Sequence, residues 1–176
     1  MDFPELETNR LILREINEDD AEDLFKNFSD DRVMQHYGSE KMTEIEETVG
    51  LIHSFKMNYS ENKGFRWGIQ IKGQSRLIGT VGFHAWSSKN RRAEIGYEVH
   101  PDYWGKGYAQ ESISKALEFG FKDMNLMRIG AIVFLENLQS NSLLMKLGFQ
   151  KEGVLKNYII QKGQSYDTNV YSKVKC

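Results

Sequence analysis

The stretch His100-Pro101-Asp102-Tyr103-Trp104-Gly105-Lys106-Gly107-Tyr108-Ala109-Gln110-Glu111 decides how this chain reads. It joins a run that alternates like a strand to a run patterned like a helix, so it predicts a glycine-spaced turn that feeds a helix N-terminus. Helix N-termini carry unpaired N–H groups and a partial positive charge, which makes such a junction a place for a phosphate to dock. Gly105 and Gly107 lack Cβ atoms, so the backbone there can approach a ligand closely and take dihedrals that other residues avoid. Lys106 can add charge but reads as solvent-facing. Two common nucleotide loops are excluded: a dinucleotide fingerprint needs a third glycine where Gln110 stands, and a Walker loop needs Ser or Thr after Gly-Lys.

Upstream, Arg91 to His100 alternates, with Ala93, Ile95, Tyr97 and Val99 on one face and Glu94, Gly96, Glu98 and His100 on the other. Pro101 ends that strand. Downstream, Gly107 to Phe121 puts Ala109, Ile113, Ala116, Leu117 and Gly120 on one helical face, and Met127 to Phe134 is a nearly continuous apolar run. Strand, helix and buried strand in that order predict a crossover unit whose two strands run parallel.

Further out, Arg10 to Ile16 is β-prone and Asn17 follows as a helix cap, with Ala21, Leu24, Phe25 and Phe28 as the apolar stripe. Ile45, Val49, Ile52, Phe55 and Tyr59 mark a second helix. Phe65 to Ile71 and Leu77 to Phe83 form a hairpin about Lys72-Gly73-Gln74-Ser75. Asn137 caps a last helix carrying Leu143, Leu144 and Leu147, which Gly148 stops. Strands over about Gln150 to Gln161 and Gln164 to Lys173 close the chain around Lys162-Gly163. With no repeat, linker or low-complexity tract, residues 1–176 read as one domain.

Composition narrows the function classes. Net charge is −2, with 23 basic and 25 acidic residues intermingled, so no broad positive field exists for nucleic acid. The apolar runs are too short to cross a membrane and the start lacks a secretory pattern; the expectation is a cytoplasmic protein with no membrane partner. The single cysteine, Cys176, is terminal. Neither it nor the scattered His36, His53, His84 and His100 offers metal-ligand spacing, so no metal is expected. His84 reads as a polar strand end.

The central stretch resembles the acetyl-CoA-binding core of the GNAT superfamily, whose signature is Gln/Arg-x-x-Gly-x-Gly/Ala at a strand-to-helix junction. Trp104 in place of the Gln or Arg is similar to the RimJ/RimL-like branch, which resembles protein N-terminal acetyltransferases. Glu7 to Arg14, Ile78 to Phe83, Ala93 to Tyr97, and Asn137 to Ser142 through Lys146 to Phe149 resemble that branch's other motifs in the right order. The resemblance implies an α/β (α+β) GNAT fold: a mixed, mostly antiparallel sheet of six to seven strands, about four flanking helices, and a splayed parallel pair at the centre. It implies N-acetyl transfer from acetyl-CoA to a primary amine by direct attack in a ternary complex. The cofactor residues it implies are Val99, Trp104, Gly105, Lys106, Gly107, Tyr108, Ala109, Asn137 and Asn141, with the Val99 N–H facing the developing oxyanion.

An amine attacks only when neutral, and free α-amines (pKa about 8) and lysines (about 10.4) are mostly charged at pH 7, so a base is required. Glu94 is the first candidate and Glu98 the second; either could instead be a solvated residue or an ion-pair partner of Arg91 or Arg92. Many GNAT enzymes protonate the leaving thiolate with a tyrosine where this chain has Leu144. By resemblance to the RimL-like branch Ser140 is the substitute, although it also fits as a local helix-capping residue. The acceptor is a protein N-terminus or a small molecule such as a polyamine or amino sugar, in a monomer or homodimer. The alternative from another class is a non-catalytic acyl-CoA sensor domain.

Overall fold

The computed structural model describes residues 2–176. Its strands are β1 (Leu6–Glu7), β2 (Leu11–Glu15), β3 (Phe65–Ile71), β4 (Leu77–Ser87), β5 (Arg92–Val99), β6 (Arg128–Phe134), β7 (Gln150–Gln161) and β8 (Gln164–Val174). Its helices are α1 (Ala21–Phe28), α2 (Asp31–Met34), α3 (Ile45–Ser60), α4 (Tyr108–Lys122) and α5 (Leu138–Lys146). The strands make one sheet in the order β1-β2-β3-β4-β5-β6-β8-β7. Every pairing is antiparallel except β5 with β6.

The expected mixed α/β architecture is present, with two additions. Strand β1 is two residues long, too short to show alternation. Helix α2 is a single turn whose N-cap Asp30 accepts from the Arg32 N–H at 2.8 Å. The sheet therefore has eight strands instead of six or seven, and five α-helices flank it instead of four. The cap expected at Asn17 exists: its side chain accepts from the Asp19 N–H, Asp20 returns a bond to the Asn17 N–H, and the resulting 3₁₀ turn leads into α1.

Two cores lie on the two faces of the sheet. On one, Trp67, Ile69, Phe83, Ile95 and Val99 pack with Ile113, Ala116 and Leu117 of α4 and Leu144 of α5. On the other, Leu24 and Phe28 of α1, Met34 of α2 and Ile52 of α3 pack with Ile16 and Leu77. Each such buried side chain contributes roughly 1.5–3 kcal/mol relative to exposure, so both helical layers are firmly seated. Helix α4 lies close on the sheet at Gly120, where a Cβ would stand 2.9 Å from both Ile129 and Phe83. That contact seats the C-terminal part of α4 on β4 and β6.

Strands β5 and β6 pair over only three positions: Arg92 with Arg128, Ala93 with Ile129, and Glu94 with Gly130. Beyond these, β5 continues on β4 as far as Val99 and β6 continues on β8 as far as Phe134. A V-shaped slot therefore opens in the middle of the sheet, as the crossover pattern and the resemblance led one to expect.

Candidate active site

The slot presents a specific set of backbone groups. His100 N–H donates to the Ile78 carbonyl at 2.7 Å, which fixes the phase of the β4/β5 ladder: Glu94, Gly96 and Glu98 bond to β4. The N–H and C=O groups of Ile95, Tyr97 and Val99 consequently point the other way, into the slot. The missing Cβ of Gly79 agrees with this phase, since it would fall 2.8 Å from the Val99 Cα, as expected of a close, non-hydrogen-bonded pair. The Val99 N–H thus faces the slot, and its carbonyl there accepts the Trp104 indole N–H at 2.7 Å.

The turn after β5 forms the second part. Gly105 and Gly107 take φ of +74° and +83°, left-handed values that cost other residues roughly 1–2 kcal/mol. Gly107 is the N-cap of α4 and no side chain caps this helix. The first-turn N–H groups of Tyr108, Ala109 and Gln110 are therefore open to an anion. Nothing lies within 4 Å of where a Gly105 Cβ would stand, and Gly105, Gly107 and the residues of those donors line one cleft, so the turn leaves the approach to them open. Uncapped donors, a concavity and an edge of unpaired strand groups fit the diphosphate and extended arm of coenzyme A.

Arg10 and Glu111, which the sequence did not single out, brace this turn. Arg10 donates to Glu111 through Nε at 2.7 Å and to the Lys106 carbonyl through Nη1 at 2.9 Å, and its guanidinium lies 4.4 Å from the Tyr108 ring centroid. Thr8 and the Arg10 N–H also donate to Glu111. Burial pushes the Glu111 carboxyl up, but these bonds outweigh it and hold the group below the usual range. Two side chains of this turn are also engaged within it. The Lys106 ammonium turns back onto its own loop, donating to the Asp102 carbonyl at 3.2 Å over the Tyr103 ring. The Trp104 indole N–H is spent on Val99, so that side chain fastens the loop to β5 while also lining the cleft.

On α5, Asn137 caps the helix by accepting from the Ser140 N–H at 3.2 Å and lines the cleft, as does Ser140. Asn141 lies behind these two. It is buried, donates to the Phe134 and Asn137 carbonyls, and accepts from Asn169 and Tyr171. With both side-chain polar atoms engaged inside the protein, it holds α5 to the sheet. Leu144 is fully buried in the core.

The slot opens on both faces into one cleft of about 1020 Å³. On the α1–α3 face, Glu94, Gly96 and Glu98 stand in a row. Arg66 from β3 lies over Gly96, where a Cβ would come within 2.8 Å of Nη1. Its Nε donates to the Thr80 hydroxyl and its Nη2 to the Tyr37 hydroxyl, both at 2.9 Å. Glu98 is buried and accepts from Thr80 at 2.5 Å and from Asn27 at 2.6 Å. Burial pushes its carboxyl up to about 7, against the opposing pull of Arg66 and of the Thr80 and Asn27 bonds. Glu94 is half-buried beside His84, 3.3 Å away, whose hydrogen bond holds the Glu94 carboxyl below its usual range. Phe28, Tyr37, Leu51 and Phe55 continue the wall of this chamber.

A strand edge that opens inside a mixed sheet, next to an uncapped helix start, defines an acyl-coenzyme A transferase site. The comparisons name the class. Residues 10–150 match the model of the acetyltransferase (GNAT) domain, and the chain belongs to that family; it is an acetyl-CoA-dependent acetyltransferase. Among individual proteins, it is 54% identical over 173 residues, covering 98% of both chains, to the uncharacterized N-acetyltransferase YoaA of Bacillus subtilis (strain 168). It is 37% identical to the uncharacterized N-acetyltransferase p20 of Bacillus licheniformis, covering 97% of this chain and 96% of that one. Of solved structures, the microcin C7 self immunity acetyltransferase MccE in complex with acetyl-CoA and AMP superposes with a TM-score of 0.83 at 25% identity, covering 96% and 94% of the two chains.

Among the described residues, no group of three or more His, Cys, Asp or Glu is placed to hold a metal ion. No helix there is long and apolar enough to cross a membrane.

Proposed function

We propose that this enzyme acetylates a primary amine of low basicity, foremost an α-amine such as a protein N-terminus, with Glu98 as the base. One observation carries the reading: a carboxyl raised to about 7 lines the chamber beside the slot. Removing a proton from an amine of pKa about 8 onto such a base is uphill by about 1 kcal/mol, whereas a lysine-type amine near 10.4 requires about 5 kcal/mol. Glu94, ranked first from sequence, is the weaker base because His84 keeps it ionised; its charge serves to draw the ammonium form of the acceptor into the chamber.

Acetyl-CoA supplies the activated acyl group. The residues around it divide the remaining work: the amides from Tyr108 to Gln110 hold its diphosphate, the slot edge of β5 pairs with its arm, and Asn137 meets its amide groups. The Val99 N–H faces the charge that builds on the acyl oxygen, and Ser140 stands on the leaving-group side. The amine nitrogen bonds to the acyl carbon, its proton passes to Glu98 directly or through one water, and the carbon–sulfur bond breaks with its electron pair on sulfur.

The motifs shared with the RimJ/RimL-like branch favour a protein N-terminal acceptor. The apolar wall of Phe28, Tyr37 and Phe55 supports a second reading, a small molecule with a hydrophobic body. Arg66 in the middle of the chamber opposes a polyamine, whose second ammonium would meet its charge. Specificity constants at pH 7.5 for short peptides, blocked lysine, spermidine and aromatic primary amines test this reading. α-Amines should exceed lysine-type amines at least tenfold; equal rates would remove the low-basicity argument.

A further inference from the structure

The Tyr97 hydroxyl is buried with no hydrogen-bond partner, although the rest of the residue is only half-buried and lines the cleft. A buried donor left unmade is costly, so a native phenol in that condition is normally completed by water or by something the protein binds. The side chain that bears on it is Ser140, and the two do not close a hydrogen bond in this structure. Ser140 also lines the cleft. Two hydroxyls from separate elements, β5 and α5, therefore border one small volume of the slot with donors to spare.

The position of that volume indicates what fills it. Resting on the coenzyme A reading above, an arm that starts at the Gly105–Ala109 turn and runs along β5 passes Val99 first. It must end before Glu94, where β5 and β6 close. Tyr97 is midway along this open edge. Its side chain leaves the strand on the α4–α5 face, opposite Glu98, from which the amine arrives.

We propose that the Tyr97 hydroxyl, with Ser140 beside it, is the hydrogen-bond donor to the sulfur of the departing coenzyme A thiolate. In this step the carbon–nitrogen bond forms, the carbon–sulfur bond breaks with its electron pair on sulfur, and the amine proton resides on Glu98. Tyr97 keeps its own proton and donates a hydrogen bond only, and solvent protonates the thiol after release. Burial raises the Tyr97 phenol above its ordinary value, which suits a group that donates without ionising.

The test compares coenzyme A with desulfo-coenzyme A, in which hydrogen replaces the thiol, by titration calorimetry at pH 8.5 on wild-type protein, Tyr97→Phe and Ser140→Ala. Wild-type protein should bind coenzyme A about tenfold more tightly than the desulfo compound. Tyr97→Phe should lose that margin while its affinity for desulfo-coenzyme A stays within twofold of wild type, and Ser140→Ala should lose part of it. Its turnover should fall at least tenfold with the KM for the amine unchanged. A full margin retained in Tyr97→Phe, or no margin in the wild type, overturns the assignment of Tyr97 alone. Failure of wild-type protein to bind either compound overturns the coenzyme site on which it rests.

Discussion

Replacing Glu98 by Gln separates the electrostatic claim from the catalytic one. In the unfolded chain this carboxyl titrates near 4.5, and in the folded protein burial raises it to about 7. The native state therefore holds a proton that the unfolded state has released, and stability falls as pH rises through that window. That difference amounts to about 3 kcal/mol, most of it lost between pH 5 and pH 9. Glutamine cannot ionise, so Glu98→Gln lacks this contribution, whatever the substitution costs in hydrogen bonds to Thr80 and Asn27. Urea denaturation of both proteins across that range reads the difference directly. The variant should gain about 2–3 kcal/mol on the wild type between the two ends, or about 5–10 °C in Tm. In kinetics, wild-type kcat/KM should rise with pH through an acidic limb near 7. The variant should lose that limb together with about 10²–10⁴ of its rate. Parallel stability curves would refute the raised carboxyl, and an unchanged limb would refute its use as the base.

Gly105→Ala introduces a methyl where the protein itself leaves room but the backbone is left-handed. It should cost about 1 kcal/mol of stability, seen in denaturant melts, and should weaken acetyl-CoA at least tenfold by calorimetry. Asn141→Ala orphans four partners and should destabilise by about 3 kcal/mol or more, yet leave coenzyme A affinity within threefold; a large affinity loss would place Asn141 in the cofactor site. Glu111→Gln should cost about 2 kcal/mol at pH 7. Because the folded Glu111 carboxyl lies below its unfolded value, that difference is present above pH 4.5 and should shrink as pH falls below it, in melts at pH 7 and pH 4.

Much of this architecture was legible in the sequence because local rules and the global fold agree there. The period change at Pro101, the two glycines that prove left-handed, the cap at Asn17 and the stop at Gly148 each have one physical reading. What stayed hidden depends on neighbours distant in the chain. Glu94 and Glu98 share a face and a spacing, and only His84 beside one and the enclosure by Asn27, Thr80 and Arg66 around the other set their carboxyls apart. Tyr97 reads as one more apolar member of the Ala93–Val99 stripe; its unpartnered hydroxyl is visible only once α5 is in place. Asn141 follows Asn137 at helical spacing and looks like a second polar contact until Asn169 and Tyr171, from the far end of the chain, engage it. One signal could have been used: the glycines at 82 and 96 align with Arg66 across three strands, marking a trough for a long side chain.

Why the slot belongs at this place in the sheet follows from strand alternation. Tyr97 and Glu98 are consecutive, so their side chains leave β5 on opposite faces, one toward α5 and the other toward α1. In a fully paired sheet those two groups would be separated by a layer of hydrogen-bonded backbone with no passage between. Because β6 leaves β5 after Gly130 and stays on β8, the layer is interrupted at Ile95 to Val99 alone. A single carbon placed in that gap can be approached from the carboxylate face, lose a group toward the hydroxyl face, and have its oxygen met in the plane of the sheet by a strand N–H. Shifting β5 by one residue against β4 would exchange the two faces, and the close fit of Gly79 against Glu98 and Val99 opposes that shift.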